Sequence, residues 1–388
     1  RVGGVDRYAT SVAVAEEFVA ARRGAGAVVV SVVVASGESL VDALAAVTLA
    51  SALDAPVVLT RSGSLPASVA GFVSAGGFSS VVVVGGVSAV SPAVVSALAA
   101  ALGAGGAVER VGGSDRYATA VAIARRAGAA GVWCDGRRAA VVVGGEAFAD
   151  AVVVSPLAFA LGLPLLLTGV GGVPAVTERY LAESGIERVV VVGGTAVVPS
   201  EALLPALRRA GVADVTRLSG ADRFATSVEV AEAAGGCASV VRDPDSVALV
   251  NGTAVADGVV AGPLLGAGVG GNGVTPMLLV FSDVLPPVVA RFLAAAWPAG
   301  SVGAPERAVV AVGGRSVVSE GVVDAALAVA DEAPTAARTA RSPSLPPLPP
   351  NQKPAVAGDA APSVDENIVA GAAAARAVGV YTAEDDYT

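Results

Sequence analysis

The chain has 388 residues, of which 54% are hydrophobic and 15% charged, and its formal net charge is −9. This length allows two or three domains, and the negative charge argues against a surface that binds nucleic acid. Because the sequence contains no histidine, it excludes Ser-His-Asp, Cys-His and histidine-liganded zinc catalysis from this chain.

The first element in chain order is a helix that begins inside the segment RVGGVDRYATSVAVA, which starts at Arg1. Closely similar segments start at Arg110 and Arg217. In each segment an aspartate precedes a run with helical periodicity, where its carboxylate can accept hydrogen bonds from free backbone N–H groups. We therefore predict helix caps at Asp6, Asp115 and Asp222.

Each of these segments carries two arginines, one at its start and one directly after the aspartate. A cation in the first turn of a helix is disfavoured by the helix dipole, so the second arginine should have an anionic partner. An ion pair within the fold or between repeats would satisfy it, and so would an external anion. Both interpretations stay open for the candidate ligand-binding residues Arg1, Arg7, Arg110, Arg116, Arg217 and Arg223.

A second aspartate recurs further along, where a helix starts after a short apolar strand, as in GEAFADAV. A metal or acid–base role is the weaker interpretation, because no second carboxylate recurs beside it in all three segments. We predict helix caps at Asp42, Asp150 and Asp257.

Pairs of glycines then follow Val-rich runs, at 85–86, 193–194 and 313–314. They lack both a GxGxxG pattern and a phosphate-binding lysine, so tight turns from strand to helix are the better interpretation.

The pattern is clearest between Asp115 and Asp222, which are 107 residues apart. It predicts helices from Asp115, over 150–159, after Pro174 and from Ser200. It predicts strands over 139–143, 163–168, 188–192 and 214–218. Short apolar strands between amphipathic helices are typical of a parallel sheet with both faces covered.

The recurrence predicts three α/β repeats, at 1–109, 110–216 and 217–330, followed by a tail at 331–388. The tail contains a proline-rich linker at 342–354 and a capping box, Ser363 with Glu366, that predicts one short helix. The uncharged run 151–173 is long enough for a membrane span, but Pro156 and Pro164 interrupt it. We interpret it as a buried helix followed by a buried strand.

The two cysteines, Cys134 and Cys237, follow the first helices of repeats 2 and 3. They are too far apart in sequence for a close metal-binding pair. Two interpretations stay open: a disulfide between repeats, as an exported protein would allow, or free, partly buried thiols.

At the RVGG-x-DRYAT-x-VA, G-x-x-x-AD-A and VVVVGG segments, residues 1 to about 330 resemble the type 2 cell wall binding repeat of Gram-positive surface proteins. The resemblance implies Toprim-like α/β repeats with parallel sheets, packed around an intramolecular pseudo-threefold axis. It also implies a non-catalytic protein without a cofactor, on the cell wall or cell surface, that binds an anionic wall polymer or carbohydrate. Self-association as a surface-layer or appendage subunit is the alternative.

Repeat 3 departs from this pattern, because it has Leu218 and Ser219 where the other repeats have Val-Gly, and Phe224 for tyrosine. We expect the third repeat to be less able to bind ligand while still completing the trimer.

Overall fold

A computed structural model describes residues 1–128, 131–146, 148–235, 246–269, 273–296, 308–332 and 379–381. The predicted proline-rich linker and the predicted helix at Ser363 lie outside the described residues.

The first repeat contains four helices and four strands that alternate along the chain. They are α1 (Arg7–Gly24), β1 (Ser31–Ser36), α2 (Leu40–Leu53), β2 (Val57–Thr60), α3 (Ala67–Ala75), β3 (Ser80–Val84), α4 (Pro92–Leu102) and β4 (Ala107–Val111).

The second repeat follows the same order, with one helix divided in two. Its elements are α5 (Arg116–Arg126), β5 (Ala139–Gly144), α6 (Phe148–Val152), α7 (Ser155–Leu161), β6 (Leu165–Thr168), α8 (Ala175–Glu183), β7 (Arg188–Val192), α9 (Ser200–Arg209) and β8 (Asp214–Leu218).

The third repeat comprises α10 (Arg223–Gly235), β9 (Ser246–Asn251), α11 (Ala256–Ala267), β10 (Met277–Val280), α12 (Pro287–Ala296), β11 (Ala308–Val312) and α13 (Glu320–Glu332). A last strand, β12 (Gly379–Tyr381), pairs with β4.

The predicted helix over 150–159 is wrong as a single element, because α6 ends at Val152 and α7 begins at Ser155. Pro156 lies in the first turn of α7, where its missing backbone N–H leaves no helical bond unmade, although the equivalent Pro263 lies inside the undivided helix α11. The hydroxyl of Ser155 donates to the carbonyl of Val152 at 2.7 Å across the break.

All the strands in the described part of the chain pair in parallel, in three sheets ordered β12-β4-β3-β1-β2, β6-β5-β7-β8 and β10-β9-β11. The central strands are almost wholly buried, as in the β1 sequence SVVVAS, because helices cover both faces of each sheet. The predicted class of three α/β repeats with parallel sheets is confirmed.

Each sheet is completed by the strand that leads into the next repeat. Strand β4 joins the first sheet and β8 the second, and Val2 pairs with Val312 at the edge of the third. The predicted boundaries at 109/110 and 216/217 therefore fall inside β4 and β8, which each connect two repeats.

The helices also connect the three repeats in a ring, in which each repeat contacts the other two. Helices α2, α7 and α11 contact one another pairwise. Around them, α5 packs against α2 of the first repeat, α10 against α6 of the second, and α1 against α11 of the third. This cyclic arrangement agrees with the predicted pseudo-threefold packing. None of the described helices has the length and apolar character to cross a membrane.

Candidate functional site: the three repeat junctions

We call the three similar segments that start at Arg1, Arg110 and Arg217 the DR segments, after the Asp-Arg pair that each contains. The aspartate of each DR segment lies at the N-cap position of a helix. The Asp6 carboxylate accepts from the N–H of Ala9 at 2.7 Å, and that of Asp115 accepts from Tyr117 and Ala118. The carboxylate of Asp222 accepts from Ala225 at 2.8 Å. These contacts satisfy donors that have no partner within the helix.

The following arginine is exposed in all three repeats and makes one recurrent contact. Its Nη1 donates, at 2.6 to 2.7 Å, to the carbonyl of the glycine directly after the first strand of its repeat, β1, β5 or β9. The pairs are Arg7 with Gly37, Arg116 with Gly145 and Arg223 with Gly252. A guanidinium has five N–H donors, so this bond leaves others free to bind a further acceptor.

The arginine at the start of each segment instead points at the glycine pair of the preceding repeat. Arg110 is 5% exposed and donates to the carbonyls of Gly85, Gly86 and Val90. Burial lowers the pKa of its guanidinium. These bonds hold the turn after β3 against the strand that enters repeat 2.

The two equivalent arginines make the same type of contact. Arg217 donates to the carbonyl of Gly193 at 2.6 Å, and Arg1 donates to that of Gly313 at 3.1 Å. Ligand binding by Arg1, Arg110 and Arg217 stays a prediction, but all three guanidinium groups already bind carbonyls within the protein.

The second aspartate of each repeat is not the helix cap that we predicted. Ser39 is the N-cap of α2, and Asp42 lies inside the first turn. Val255 is the N-cap of α11, so Asp257 also lies within its helix, and Asp150 lies within α6. The helix starts earlier than the pattern indicates, so these carboxylates project towards the glycine pair instead.

The first glycine of each pair has to be a glycine for two reasons. Its φ is +106° at Gly85, +112° at Gly193 and +107° at Gly313, a region that favours glycine. In addition, a Cβ on Gly85 would lie 2.7 Å from Oδ2 of Asp42. The predicted tight turn therefore also makes room for the second aspartate.

The second aspartate of each repeat faces the DR segment of the next repeat in the ring. Desolvation raises the pKa of Asp42 to about 6, while the charge of Arg116 opposes this shift. Desolvation also raises the pKa of Asp150, while the charge of Arg223 and the nearby hydroxyl of Thr226 oppose the shift.

Asp257 closes the ring in the same way. Desolvation raises its pKa, and the nearby hydroxyl of Thr10 and the charge of Arg7 oppose the shift. We call these contact regions junction 1–2 (Asp42 with Arg116), junction 2–3 (Asp150 with Arg223) and junction 3–1 (Asp257 with Arg7).

A second carboxylate contributes at two junctions, which sequence reasoning missed. Asp222 raises the pKa of Asp150, and Asp6 raises that of Asp257. The two members of each pair lie in different repeats, so only the order of the ring could have related them. Within the described residues, no group of acidic or sulfur side chains could hold a metal ion.

The DR threonine and glycine complete the junctions. Thr10, Thr119 and Thr226 each accept from a backbone N–H six residues earlier, at 3.1 Å. The donor glycines are Gly4, Gly113 and Gly220, where a Cβ would lie 2.2 to 2.6 Å from the following helix. Much of the motif is therefore explained by close packing of the segment on its own helix.

Cys134 is disulfide-bonded. Cys237, the only other cysteine in the chain, lies outside the described residues, and the predicted pairing of the two stays a prediction.

Comparison with known proteins shows that one family model matches the chain three times, once in each repeat. The model of cell wall binding domain 2 matches residues 1–95, 110–203 and 217–323. Each match begins at or next to a DR segment, and the three together cover more than half of the chain.

Two curated relatives come from Bacillus subtilis strain 168. The N-acetylmuramoyl-L-alanine amidase LytC is 30% identical over 60% of this chain and 42% of its own length. A protein named amidase enhancer is 25% identical over 71% of this chain and 36% of its own length. The chain thus matches less than half the length of either relative.

Two solved structures from Clostridium difficile share the fold at 23% sequence identity. Cwp8 covers 85% of this chain, over 51% of its own length, with a TM-score of 0.65. Cwp6 covers 86%, over 48% of its own length, with a TM-score of 0.68. From the three family matches, the chain belongs to the cell wall binding domain 2 family.

Proposed function

We propose that this chain is a non-catalytic anchor at the bacterial cell surface, which binds an anionic secondary polymer of the cell wall at its three junctions. Family membership supports wall binding. The observation that carries the finer proposal is the exposed guanidinium of Arg7, Arg116 and Arg223, held at the same place in each repeat by one carbonyl bond.

Local charge rather than net charge has to provide the attraction, because the chain as a whole carries −9. A guanidinium suits phosphate and carboxylate groups, since its N–H donors match two acceptor oxygens at once. One bond to a glycine carbonyl fixes the side chain in advance, which lowers the entropy cost of binding a polymer.

The ring arrangement supports binding of a repeating ligand. Three weak sites on one compact body raise the local concentration of the next polymer segment once the first is bound. A protein with three such sites would be retained on the wall even if each junction alone bound weakly.

The test is co-sedimentation with isolated walls of the variant Arg7→Gln, Arg116→Gln, Arg223→Gln. Glutamine removes the charge and, because its side chain ends two bonds earlier than arginine, it also removes the bond that Nη1 makes to the glycine carbonyl. We expect retention at physiological salt to weaken by about tenfold or more, since each junction loses its ionic contact. Walls stripped of their secondary polymers should retain neither protein.

The matched control is Arg208→Gln, Arg209→Gln, Arg291→Gln, which changes the net charge equally at exposed positions outside the DR segments and the glycine pairs. It should bind like the unmodified protein. Equal retention of both triple variants would contradict the junction sites, and release of soluble muropeptides from the walls would contradict a non-catalytic role. Ordered assembly without walls would favour the surface-layer alternative.

A further inference from the structure

One position beside the DR aromatic ring differs in all three repeats. It is the residue directly after the edge strand β2, β6 or β10, and it is Arg61, Gly169 or Phe281. In repeats 1 and 3 the structure places this side chain against the aromatic residue of the DR segment.

The contacts in repeats 1 and 3 cover the ring. The guanidinium carbon of Arg61 lies 5.3 Å from the centroid of the Tyr8 ring, within the range of a cation–π contact. The ring of Phe281 lies 4.3 Å, centroid to centroid, from that of Phe224. Tyr8 is 8% exposed and Phe224 is 7% exposed.

Repeat 2 has no such cover, because Gly169 has no side chain. A Cβ at Gly169 would lie 3.1 Å from the Tyr117 hydroxyl oxygen, so this glycine lies directly over the tip of the ring. Tyr117 is accordingly half-buried rather than buried, and Arg116 beside it is exposed.

The other side of the Tyr117 ring is also lined by glycine. A Cβ on Gly145 would lie 3.3 Å from both Cε1 of Tyr117 and Cδ of Arg116. The carbonyl of Gly145 holds Arg116 at 2.7 Å. The ring and the guanidinium are thus fixed side by side, next to backbone that a ligand can approach closely.

We propose that Tyr117 is an aromatic platform for a sugar ring of the wall polymer, present in repeat 2 and blocked by Arg61 in repeat 1 and by Phe281 in repeat 3. Arg116 binds the anionic group carried by that sugar or its neighbour. This inference rests on the proposed wall-polymer binding, and it makes repeat 2 the site that recognises the carbohydrate.

The chemistry fits a glycan better than a simple anion. The face of an aromatic ring binds the apolar C–H surface of a sugar, while a hydroxyl at its edge stays hydrated or bonds a sugar hydroxyl. An inorganic anion would need only the arginines, which all three repeats have.

Repeat 3 supplies the variant that tests the proposal, because the two turns share a backbone contact. The N–H of Gly169 donates to the carbonyl of Gly172 at 3.2 Å, and that of Phe281 donates to Val284 at 3.2 Å. Gly169→Phe therefore places a phenyl group over Tyr117 on a turn that already accepts one in repeat 3.

We expect Gly169→Phe and Tyr117→Leu each to weaken binding to isolated walls by about fivefold to tenfold, the range for losing one central aromatic contact. Phe281→Gly is the matched control, since it alters the same turn in repeat 3, and it should cause no loss. Thermal unfolding of all three variants verifies that the fold is kept. Equal binding by Gly169→Phe and Phe281→Gly would overturn the proposal.

A direct measurement tests whether Tyr117 itself contacts the polymer, separately from whether the protein binds walls. Protein with isotope-labelled tyrosine is titrated with polymer released by mild acid from walls of the organism that encodes it, and tyrosine ring resonances are followed by NMR. The Tyr117 signal, assigned with Tyr117→Phe, should shift, whereas buried Tyr8 and Tyr180 should not. Wall binding without a Tyr117 shift would refute the platform but leave the anchor standing. A Tyr117 shift together with unaltered binding of the triple arginine variant would support the aromatic platform and contradict the arginine sites of the proposed anchor.

Discussion

Junction 2–3 differs from the other two junctions at a position where two backbones pack closely against each other. The first glycine of the RVGG segment lies against the glycine pair of the preceding repeat at junctions 1–2 and 3–1. A Cβ at Gly112 would lie 2.9 Å from the carbonyl carbon of Gly85, and one at Gly3 would lie 2.5 Å from that of Gly313. At junction 2–3 the same position is Ser219, which already carries a Cβ.

The second aspartate is more exposed at junction 2–3 than at the other two junctions. Asp42 and Asp257 are 7% and 8% exposed, whereas Asp150 is only half-buried. A Cβ added at Gly193 would lie 3.3 Å from Oδ2 of Asp150, compared with 2.7 Å for Gly85 and Asp42. The extra carbon at Ser219 thus coincides with a more exposed carboxylate and with a looser contact between that carboxylate and the glycine pair of its own repeat.

The largest effect is expected from Gly112→Ala, which adds to junction 1–2 the carbon that junction 2–3 already has. Backbone atoms of Gly85 and Gly86 block that carbon on one side, so the two repeats must separate. We expect a loss of about 3 kcal/mol, the upper part of the range for overpacking. Urea unfolding measures it.

The control for that substitution is Ser219→Ala, which keeps the Cβ at junction 2–3 and should change stability by no more than about 0.5 kcal/mol. Similar losses in both variants would mean that the position matters in the same way at every junction.

The second prediction concerns the buried carboxylate of Asp42. Its pKa of about 6 lies above that of an unfolded aspartate, so between about pH 4 and pH 6 the folded chain holds a proton that the unfolded chain has lost. The contribution of Asp42 to the free energy of unfolding therefore falls as pH rises through this window.

Asp42→Asn removes this dependence while keeping the shape of the side chain. The variant should match the unmodified protein near pH 4 and be more stable by about 2 kcal/mol at pH 7. Denaturant unfolding from pH 4 to pH 7 measures the difference, and Asp150→Asn should give a smaller one because that carboxylate is more exposed. An Asp42→Asn variant that is less stable at pH 7 would show that the Arg116 contact outweighs desolvation.

Local pattern was enough to predict the elements within a repeat. The strand over 188–192 and the helix from Ser200 follow from apolar runs and turn residues, and both are confirmed as β7 and α9. Asp115 could be recognised as an N-cap because a cap depends only on residues three positions away.

Contacts between repeats could not be read from the same pattern. Asp42 looked like a cap because its partners, Gly85 and Arg116, are 43 and 74 residues further along the chain. The residues that lie over the aromatic ring of the DR segment could be found from the sequence. Aligning the residues that follow LT, LT and LV in the three repeats gives Arg61, Gly169 and Phe281. What the alignment lacks is the position of the ring, which only the fold provides.

The smallest expected effect is that of Ser219→Gly, which removes the extra carbon from junction 2–3. A closer approach of the two backbones should bury Asp150 further, while the added freedom of glycine in the unfolded chain costs about 0.5–1 kcal/mol. These contributions oppose each other, so we expect little net change in stability but a higher pKa of Asp150, measured by NMR titration of its carboxyl carbon. An unchanged pKa would mean that other contacts between repeats 2 and 3 set the exposure of Asp150, because removing the Cβ would then have left the carboxylate as hydrated as before.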